Sequence, residues 1–172
     1  MTVAIRPLAR HELTHVHAID VSETGTAIYR YIDGALQTAP EQWARPQWTA
    51  EGWQAHLHHW MTDLQPDLFL GAFEGEQLVG LASLRYQLTP TMAQLTTLHV
   101  SRTHRRQGVA TALLQEVIRL AKEDGAQMLY VSATESTSAV NFYRNQGFQP
   151  TDKPDPVLFA LEPDDIHMVM AL

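Results

Sequence analysis

The chain of 172 residues contains no cysteine, which excludes a disulfide framework, a thiolate nucleophile and a cysteine-based zinc site. A composition without cysteine suits a reducing compartment, so we predict a cytoplasmic protein. No segment approaches the roughly 18 consecutive apolar residues of a membrane span, and the N-terminus lacks the apolar core of a signal peptide. We therefore expect no membrane association, and the length predicts one domain over residues 1–172.

Basic side chains are also scarce. The chain has 12 Lys and Arg against 19 Asp and Glu, which gives a formal net charge of −7. Such an acidic chain is a poor candidate for binding a nucleic-acid backbone, so we expect no nucleic-acid partner. The dense basic cluster of Arg102, His104, Arg105 and Arg106 is an exception. A local basic patch on an acidic protein suits a single polyphosphate ligand.

Segment 105–110, Arg-Arg-Gln-Gly-Val-Ala, lies between a strand pattern over 93–100 and a helix pattern over 108–123. The unpaired N–H groups and the dipole of a helix's first turn favour an anion, most naturally a phosphate. Gly108 would let the backbone approach that anion closely. The sequence contains neither the P-loop motif nor the three glycines of a dinucleotide fingerprint, which excludes those two phosphate sites.

A second motif lies at 139–148, Ala-Val-Asn-Phe-Tyr-Arg-Asn-Gln-Gly-Phe, after a strand candidate at 127–132. Arg105-x-x-Gly108-x-Ala110 resembles the Arg/Gln-x-x-Gly-x-Gly/Ala turn of the GNAT superfamily of N-acetyltransferases. The second motif resembles the A-x-x-F-Y-x-x-x-G-F segment of the same family. The resemblance is strong over residues 93–148 and weak over the rest of the chain.

The order of predicted elements agrees with that family. We predict helices over 9–20, with an apolar stripe of Leu13, Val16 and Ile19, over 49–61 with Thr49 as N-cap, over 108–123, and over 136–146 before Gly147. Strands are predicted over 3–8, 68–73, 77–87, 93–100, 127–132 and 166–172, whereas 21–47 is expected to be irregular and 150–165 a loop. The resemblance implies an α/β (mixed α+β) fold of this family. Its central, mostly antiparallel mixed sheet has six to seven strands, splayed between the fourth and fifth strands and flanked by four helices.

The resemblance implies acetyl-CoA as the cofactor. The family wraps the pyrophosphate with backbone N–H groups of the basic turn, and pairs the pantetheine arm with the edge of the fourth strand. Ser136 stands where the family often has asparagine and is expected to cap a helix or bond the pantetheine. The cofactor-binding residues implied are Leu98, His99, Val100, Arg105, Arg106, Gln107, Gly108, Val109, Ala110, Thr111, Ser136 and Tyr143.

Tyr143 is the expected general acid, which would protonate the departing CoA thiolate. The alternative is that its ring only packs beside Phe142. The position where some family members carry a glutamate base aligns with Gln94, whose amide cannot accept the proton. The general base is therefore left open among Glu23, Asp20, His99 and His167, with Glu23 and His99 kept as the leading catalytic candidates.

We expect acceptor specificity to come from the first third of the chain. Aromatic faces beside carboxylates hold organic cations, and the candidates for such a pocket are Asp20, Glu23, Tyr29, Tyr31, Trp43 and Trp48. The alternative is that these aromatic residues only cover the core. A late acidic stretch could attract a cationic acceptor or be ordinary solvated surface; it comprises Asp152, Asp155, Glu162, Asp164 and Asp165.

His11-Glu12-Leu13-Thr14-His15 matches the H-E-x-x-H pattern of zinc proteases, but both histidines lie off the apolar stripe, so we expect no metal site.

The functional hypothesis is an N-acetyltransferase that moves the acetyl group of acetyl-CoA to a primary amine of a small molecule, or to a protein amine, by direct attack in a ternary complex. The alternative is a non-catalytic acyl-CoA-binding sensor module. Dimers are common in the family, so a homodimer remains an open expectation.

Overall fold

The computed structural model describes residues 3–172. Its strands, in chain order, are β1 (Ala4–Pro7), β2 (Glu23–Ile32), β3 (Ala35–Arg45), β4 (Leu68–Glu74), β5 (Gln77–Thr89), β6 (Met92–Val100), β7 (Met128–Ala133), β8 (Gln149–Pro150) and β9 (Ile166–Ala171). Seven of them form one sheet in the order β1-β4-β5-β6-β7-β9-β8, and β2 and β3 form a separate hairpin. Within the large sheet β6 and β7 are parallel and the other neighbours antiparallel, which confirms the mostly antiparallel mixed sheet.

Helices cover both faces of this sheet. They are a 3₁₀ helix over Arg10–Ala18, α1 (Ala50–His59) with a π-helical turn over Trp60–Leu64, α2 (Val109–Glu123), α3 (Thr137–Asn145) and α4 (Pro156–Leu161). Thr49 caps α1 by accepting a hydrogen bond from Gly52 N–H at 3.1 Å, as predicted. Gly147 has a φ of +102° just after α3, which confirms its place beyond the end of that helix. Within residues 3–172, no helix is both long and apolar enough to cross a membrane.

The core lies in two layers because strand side chains alternate between the faces of the sheet. In β7, Leu129 and Val131 pack with α2 and α3, whereas Tyr130 between them packs on the opposite layer. That opposite layer contains the predicted stripe of Leu13, Val16 and Ile19, all buried, together with Trp53 and Trp60. The sheet is therefore packed between helices on both of its faces.

The sheet opens between β6 and β7. Their pairing begins at Met92 with Met128 and ends at Leu95 with Val131. Beyond that point β6 stays with β5 and β7 stays with β9, so the two strands diverge. A bulge at Thr96, where the β5 register passes from Leu95 to Thr97, coincides with the divergence. This is the predicted splay.

The prediction that 21–47 is irregular was wrong, because β2 and β3 occupy most of it. Most side chains of this hairpin are partly or fully exposed, so the apolar alternation that marks a strand is weak. The available signal was the turn at Asp33 and Gly34, whose φ angles of 51° and 77° are those of a type I′ hairpin turn. The hairpin docks through Tyr29 N–H, which donates to the Glu135 carbonyl at 2.7 Å.

The loop expected over 150–165 contains the short helix α4. Asp155 caps it, since its Oδ1 accepts from the N–H groups of Val157 and Leu158 at 3.0 Å each. Pro156 follows at the start of the helix, where a missing N–H costs nothing. The loop was expected because the segment contains four prolines, Pro150, Pro154, Pro156 and Pro163, but one of them starts a helix. This helix holds the segment that carries Glu162 and Asp165 against the sheet.

Candidate active site

A cleft of about 410 Å³ opens where β6 and β7 diverge. Its walls are the separated strand ends, 95–100 and 131–134, and it is closed by the first turn of α2 and one face of α3. Of the predicted site residues, the cleft is lined by Glu23, Leu98, His99, Val100, Arg105, Arg106, Gly108, Ala110, Thr111, Ser136 and Tyr143. Divergence of the strands leaves part of β6 without a partner on the β7 side, which suits strand addition by an extended ligand.

The turn before α2 presents backbone N–H groups to this cleft. Gly108, at a φ of +85°, is the N-cap, and the first helical bond runs from Ala112 N–H to the Gly108 carbonyl at 2.9 Å. The amides of Val109, Ala110 and Thr111 precede that bond and need an acceptor from outside the helix. A Cβ at Gly108 would meet no atom within 4 Å, so the space in front of the turn is open. These features fit an anion such as a pyrophosphate.

The side chains of two residues of this turn lie outside the cleft. The Val109 side chain is buried in the core, and Gln107 is exposed and donates through Nε2 to the Thr103 carbonyl at 2.8 Å. Neither side chain is part of the cleft lining. Their contribution to an anion site would therefore come from their backbone N–H groups alone.

Arg105 joins the end of β6 to the segment before β2. Its guanidinium donates to the carbonyls of Val100 at 3.0 Å, Ser22 at 3.0 Å and Asp20 at 3.3 Å. It also lies 3.9 Å from a carboxylate oxygen of Glu23. The rigid planar fork of arginine suits several acceptors at once, so we assign this side chain a positioning role.

We expect Arg105→Lys to lower the free energy of unfolding by about 2–4 kcal/mol, because a lysine keeps the charge but cannot reach all three carbonyls. Urea unfolding measures this loss. Since the charge near the cleft is kept, the Kd for acetyl-CoA should change by less than about threefold. Unchanged stability with a Kd weakened more than about tenfold would instead assign the side chain to the cofactor phosphates.

Tyr143 and Ser136 lie on the α3 side of the cleft. The Tyr143 ring packs edge-on against Phe142 and Phe148, at 5.2 and 5.4 Å between centroids. Within residues 3–172 its hydroxyl makes no hydrogen bond, and burial, with a smaller effect of Asp165, raises its pKa well above the usual range. The hydroxyl is therefore protonated at neutral pH and free to meet a ligand. Ser136 caps α3 by accepting from Ala139 N–H at 3.3 Å.

His99 belongs to a cluster of aromatic rings. Trp60 stacks on it with centroids 5.4 Å apart, and Trp48 lies edge-on at 5.3 Å. Burial, together with the positive charge of Arg45, lowers the pKa of His99 to about 3. The imidazole is therefore neutral at physiological pH and is a weak proton acceptor. The ring lines the cleft, but its low pKa argues against His99 as the general base.

Glu23 lines the cleft but its carboxylate is already occupied. Oε2 pairs with Arg45 at 2.9 Å, and Oε1 accepts from the Ser138 hydroxyl at 2.6 Å. With Arg105 near the same oxygen, the charge is balanced by two guanidinium groups. Glu23 therefore ties the base of the β2–β3 hairpin to α3.

The other predicted acceptor residues lie outside the cleft lining. Asp20 accepts from Ser22 N–H at 2.9 Å, Tyr29 donates to Asn141 at 2.9 Å, and Tyr31 donates to Asp152 at 2.5 Å. Trp43 donates to the Ala27 carbonyl at 3.2 Å, and Trp48 stacks on His56 at 3.6 Å. Four of the five thus fasten the hairpin and its flanks, and Trp48 packs edge-on against His99.

His167, a further base candidate, has both ring nitrogens engaged. Nε2 is 3.0 Å from the Glu162 carbonyl, and Nδ1 is 2.6 Å from the Tyr130 hydroxyl. Because a carbonyl can only accept, Nε2 carries the proton and Nδ1 accepts from the hydroxyl. The ring is buried and lines a different cavity. His167 is therefore a structural link between β7, β9 and the α4 segment.

Two carboxylates of the late acidic stretch line the cleft, and neither was singled out as a base from the sequence. Burial raises the pKa of Glu162. Burial, followed by the charges of Glu162, Glu135 and Asp164, raises the pKa of Asp165 to about 7. The only signal in the sequence was the density of acidic residues, which does not reveal that two of them turn inward. A carboxyl group with a pKa near neutrality can accept and release protons at physiological pH.

The glutamate of the H-E-x-x-H pattern has a structural role. Glu12 accepts two hydrogen bonds from the Arg6 guanidinium, at 2.7 and 3.0 Å, and one from Ala9 N–H at 2.9 Å. It thereby fastens the start of the 3₁₀ helix. In the part of the chain that the structure describes, no group of three His, Asp or Glu side chains is placed to hold a metal ion.

Comparisons with known proteins give a family match and similar folds. The model of the acetyltransferase (GNAT) family matches residues 33–148. Mus musculus N-acetyltransferase 8 is 32% identical over 111 residues, which cover 60% of this chain and 49% of the mouse protein. The chain thus spans about half the length of this curated relative.

Two solved structures share the fold over nearly the full length. Nourseothricin acetyltransferase superposes with a TM-score of 0.76 at 20% identity, covering 99% of each chain. PaiA N-acetyltransferase of Thermoplasma acidophilum, in complex with coenzyme A, superposes with a TM-score of 0.65 at 18% identity, covering 100% of each chain.

Proposed function

Because this chain belongs to the acetyltransferase (GNAT) family, we propose that it transfers the acetyl group of acetyl-CoA to a primary amine. The acceptor in this proposal is a small molecule or, second, an amine on a protein, and the reaction takes place in a ternary complex. The single observation that carries the proposal is the cleft between β6 and β7, which joins an anion-binding turn, a free strand edge and the Tyr143 hydroxyl.

The residues of the cleft suit each part of the cofactor. The N–H groups of residues 106–111 would bind the pyrophosphate, with Gly108 leaving room for close approach. The main chain of Leu98, His99 and Val100 would pair with the amides of the pantetheine arm. A backbone N–H of that edge would also stabilise the oxyanion that forms when an amine attacks the thioester. Acetyl-CoA itself supplies the activated acyl group.

Tyr143 would protonate the sulfur as the C–S bond breaks. Its hydroxyl is held by packing of the ring and has no competing partner within residues 3–172. With no cysteine in the chain, an acyl-thioenzyme intermediate is excluded, which favours direct attack by the amine. A cytoplasmic location is part of the proposal and is supported by the same absence of cysteine.

A coupled thiol assay tests the proposal. CoA release from acetyl-CoA is measured with a thiol reagent in the presence of polyamines, aminoglycosides, amino acids and basic peptides. We expect release that depends on one acceptor class, with the acetylated amine identified by mass spectrometry. Binding of acetyl-CoA without acceptor-dependent release across the panel would contradict the proposal and favour the non-catalytic binding module.

A further inference from the structure

A second cavity of about 470 Å³ adjoins the cofactor cleft. It lies between the tip of the β2–β3 hairpin, residues 30–34, and residues 151–167 of the late segment. Asp165 lines both cavities. A molecule in the second cavity would therefore meet the cofactor cleft at Asp165.

The second cavity carries an excess of negative charge. Its lining includes Asp33, Asp152, Asp164 and Asp165. The one arginine in the lining, Arg30, lies 3.5 Å from Glu41, which balances its charge. The rings of Tyr31 and Phe159 add aromatic surface. Carboxylates beside aromatic faces suit an organic cation, and an ammonium group is the form in which an amine acceptor arrives at neutral pH.

Burial and neighbouring carboxylates raise the pKa of the Asp165 carboxyl group. Glu162 and Asp164 on its own segment and Glu135 before α3 all raise its pKa, in addition to burial. Tyr143 faces it from α3 and Arg30 lies on the β2 side of the second cavity, while neighbouring His167 is engaged with Tyr130 and Glu162. No hydrogen bond to the Asp165 carboxylate is present within residues 3–172, so the group is free to take a proton.

We propose that Asp165 is the general base of the reaction, and that a cationic amine reaches it through the second cavity. This inference rests on the proposed acetyl transfer. The geometry that carries it is the position of one unpaired carboxylate at the junction of two cavities, with the general acid on the cofactor side. The alternative bases fit less well, because Glu23 is paired with Arg45 and the His99 ring packs against Trp60 and Trp48.

The protons balance as follows. The acceptor ammonium gives one proton to the Asp165 carboxylate, and the neutral amine then attacks the thioester carbonyl and forms a C–N bond. When the tetrahedral intermediate collapses, the C–S bond breaks and the thiolate takes the Tyr143 proton. The second proton from the nitrogen restores Tyr143, and Asp165 releases its proton to water. The products are the acetylated amine, CoA and one proton.

The pH dependence of kcat/KM tests the role of Asp165. In the wild-type protein we expect activity to rise with pH through about 7, as the Asp165 carboxyl ionises. In Asp165→Asn we expect kcat/KM near neutral pH to fall by about 100-fold or more. The remaining activity should rise only toward the pKa of the amine itself, about 10 for a lysine-like acceptor. The matched control Asp124→Asn, at the far end of α2, should keep the wild-type profile.

Thermal stability provides a readout besides activity. A carboxyl whose pKa is raised by folding makes the folded state less stable as pH rises between its unfolded and folded pKa values. Asp165→Asn should therefore melt at a higher temperature than wild type at about pH 8, and the difference should disappear near pH 4. This result also shows that the variant is folded, so its lost activity cannot be attributed to unfolding.

The outcomes separate the two proposals. In one outcome, wild type releases CoA with an acceptor while Asp165→Asn keeps both the wild-type kcat/KM and its rise through about pH 7. In that case Asp165 is not the base, although the transferase activity stands. If wild type binds acetyl-CoA but releases none with any acceptor, the proposed function fails first, and the assignment of a base fails with it. The inference is supported if the rise of kcat/KM through about pH 7 is lost in Asp165→Asn and kept in Asp124→Asn.

Discussion

Tyr143→Phe is expected to lower kcat for acetyl transfer by about 100-fold or more while the Kd for acetyl-CoA changes by less than about threefold. The substitution removes one hydroxyl and keeps the ring that packs on Phe142 and Phe148. Because the hydroxyl has no partner within residues 3–172, its removal leaves no buried group unpaired. Steady-state kinetics with the acceptor found in the thiol assay, together with calorimetric titration of acetyl-CoA, measure both quantities.

Tyr86→Phe is the matched control, since Tyr86 lies on β5 and outside the cleft lining. It should leave kcat and Kd unchanged. The packing interpretation of Tyr143 makes the opposite prediction for the phenylalanine variant, since the packed ring is retained. An unchanged kcat in Tyr143→Phe would therefore remove the general-acid role and leave only the structural one.

The second large effect is expected at Gly108. Gly108→Ala should weaken acetyl-CoA binding by about 10- to 100-fold, the equivalent of one lost charge-assisted hydrogen bond of about 1.5–3 kcal/mol. The added methyl group would project into the open space in front of the turn, where the pyrophosphate must approach the amides. Calorimetric titration with acetyl-CoA measures the loss.

The chain contains a close control for backbone strain. Gly125, at the other end of α2, has a φ of +92°, and a Cβ there would also meet no atom within 4 Å. Gly125→Ala should therefore cost about the same 1–2 kcal/mol of stability as Gly108→Ala, because both force an alanine into the left-handed region. Only the variant at 108 should lose affinity. Equal affinities in the two variants would contradict an anion site at this turn.

The central part of the fold could be predicted because two local signals agree there. The apolar periodicity switches from strand to helix around Gly108, and the same turn carries the motif. Tyr143 was identified by the second motif, and the structure places it in the same cleft as the first. In both cases the information is contained in a few consecutive residues, so a single sequence suffices.

The hairpin and the short helix α4 were missed for different physical reasons. The hairpin is exposed on much of both faces, so its sequence lacks strong alternation, and its tertiary contacts stabilise it instead. In the segment that contains α4, the prolines favoured a loop, although Asp155 as N-cap and Pro156 at the first helical position are typical of a helix start. Closer attention to turn and capping residues would have found both elements.

The position of Asp165 could not be read from the sequence at all. Its pKa is raised by burial and by several carboxylates, one of which, Glu135, is distant along the chain and is brought near by the return of β9 to the sheet. The acceptor pocket was sought among the aromatic residues of the first third, of which Tyr29 and Trp43 fasten the hairpin, whereas Tyr31 also lines the second cavity. Long-range packing decides which acidic side chains face a cavity, and no local pattern records it.

A crystal structure of the protein with CoA tests the central claim most directly. We predict the pyrophosphate against the N–H groups of residues 106–111, the pantetheine arm along Leu98–Val100, and the sulfur beside the Tyr143 hydroxyl. The Asp165 carboxylate, at the junction of the two cavities, should face the end of the pantetheine arm. CoA bound away from the opening between β6 and β7, or with its sulfur remote from Tyr143, would contradict the account.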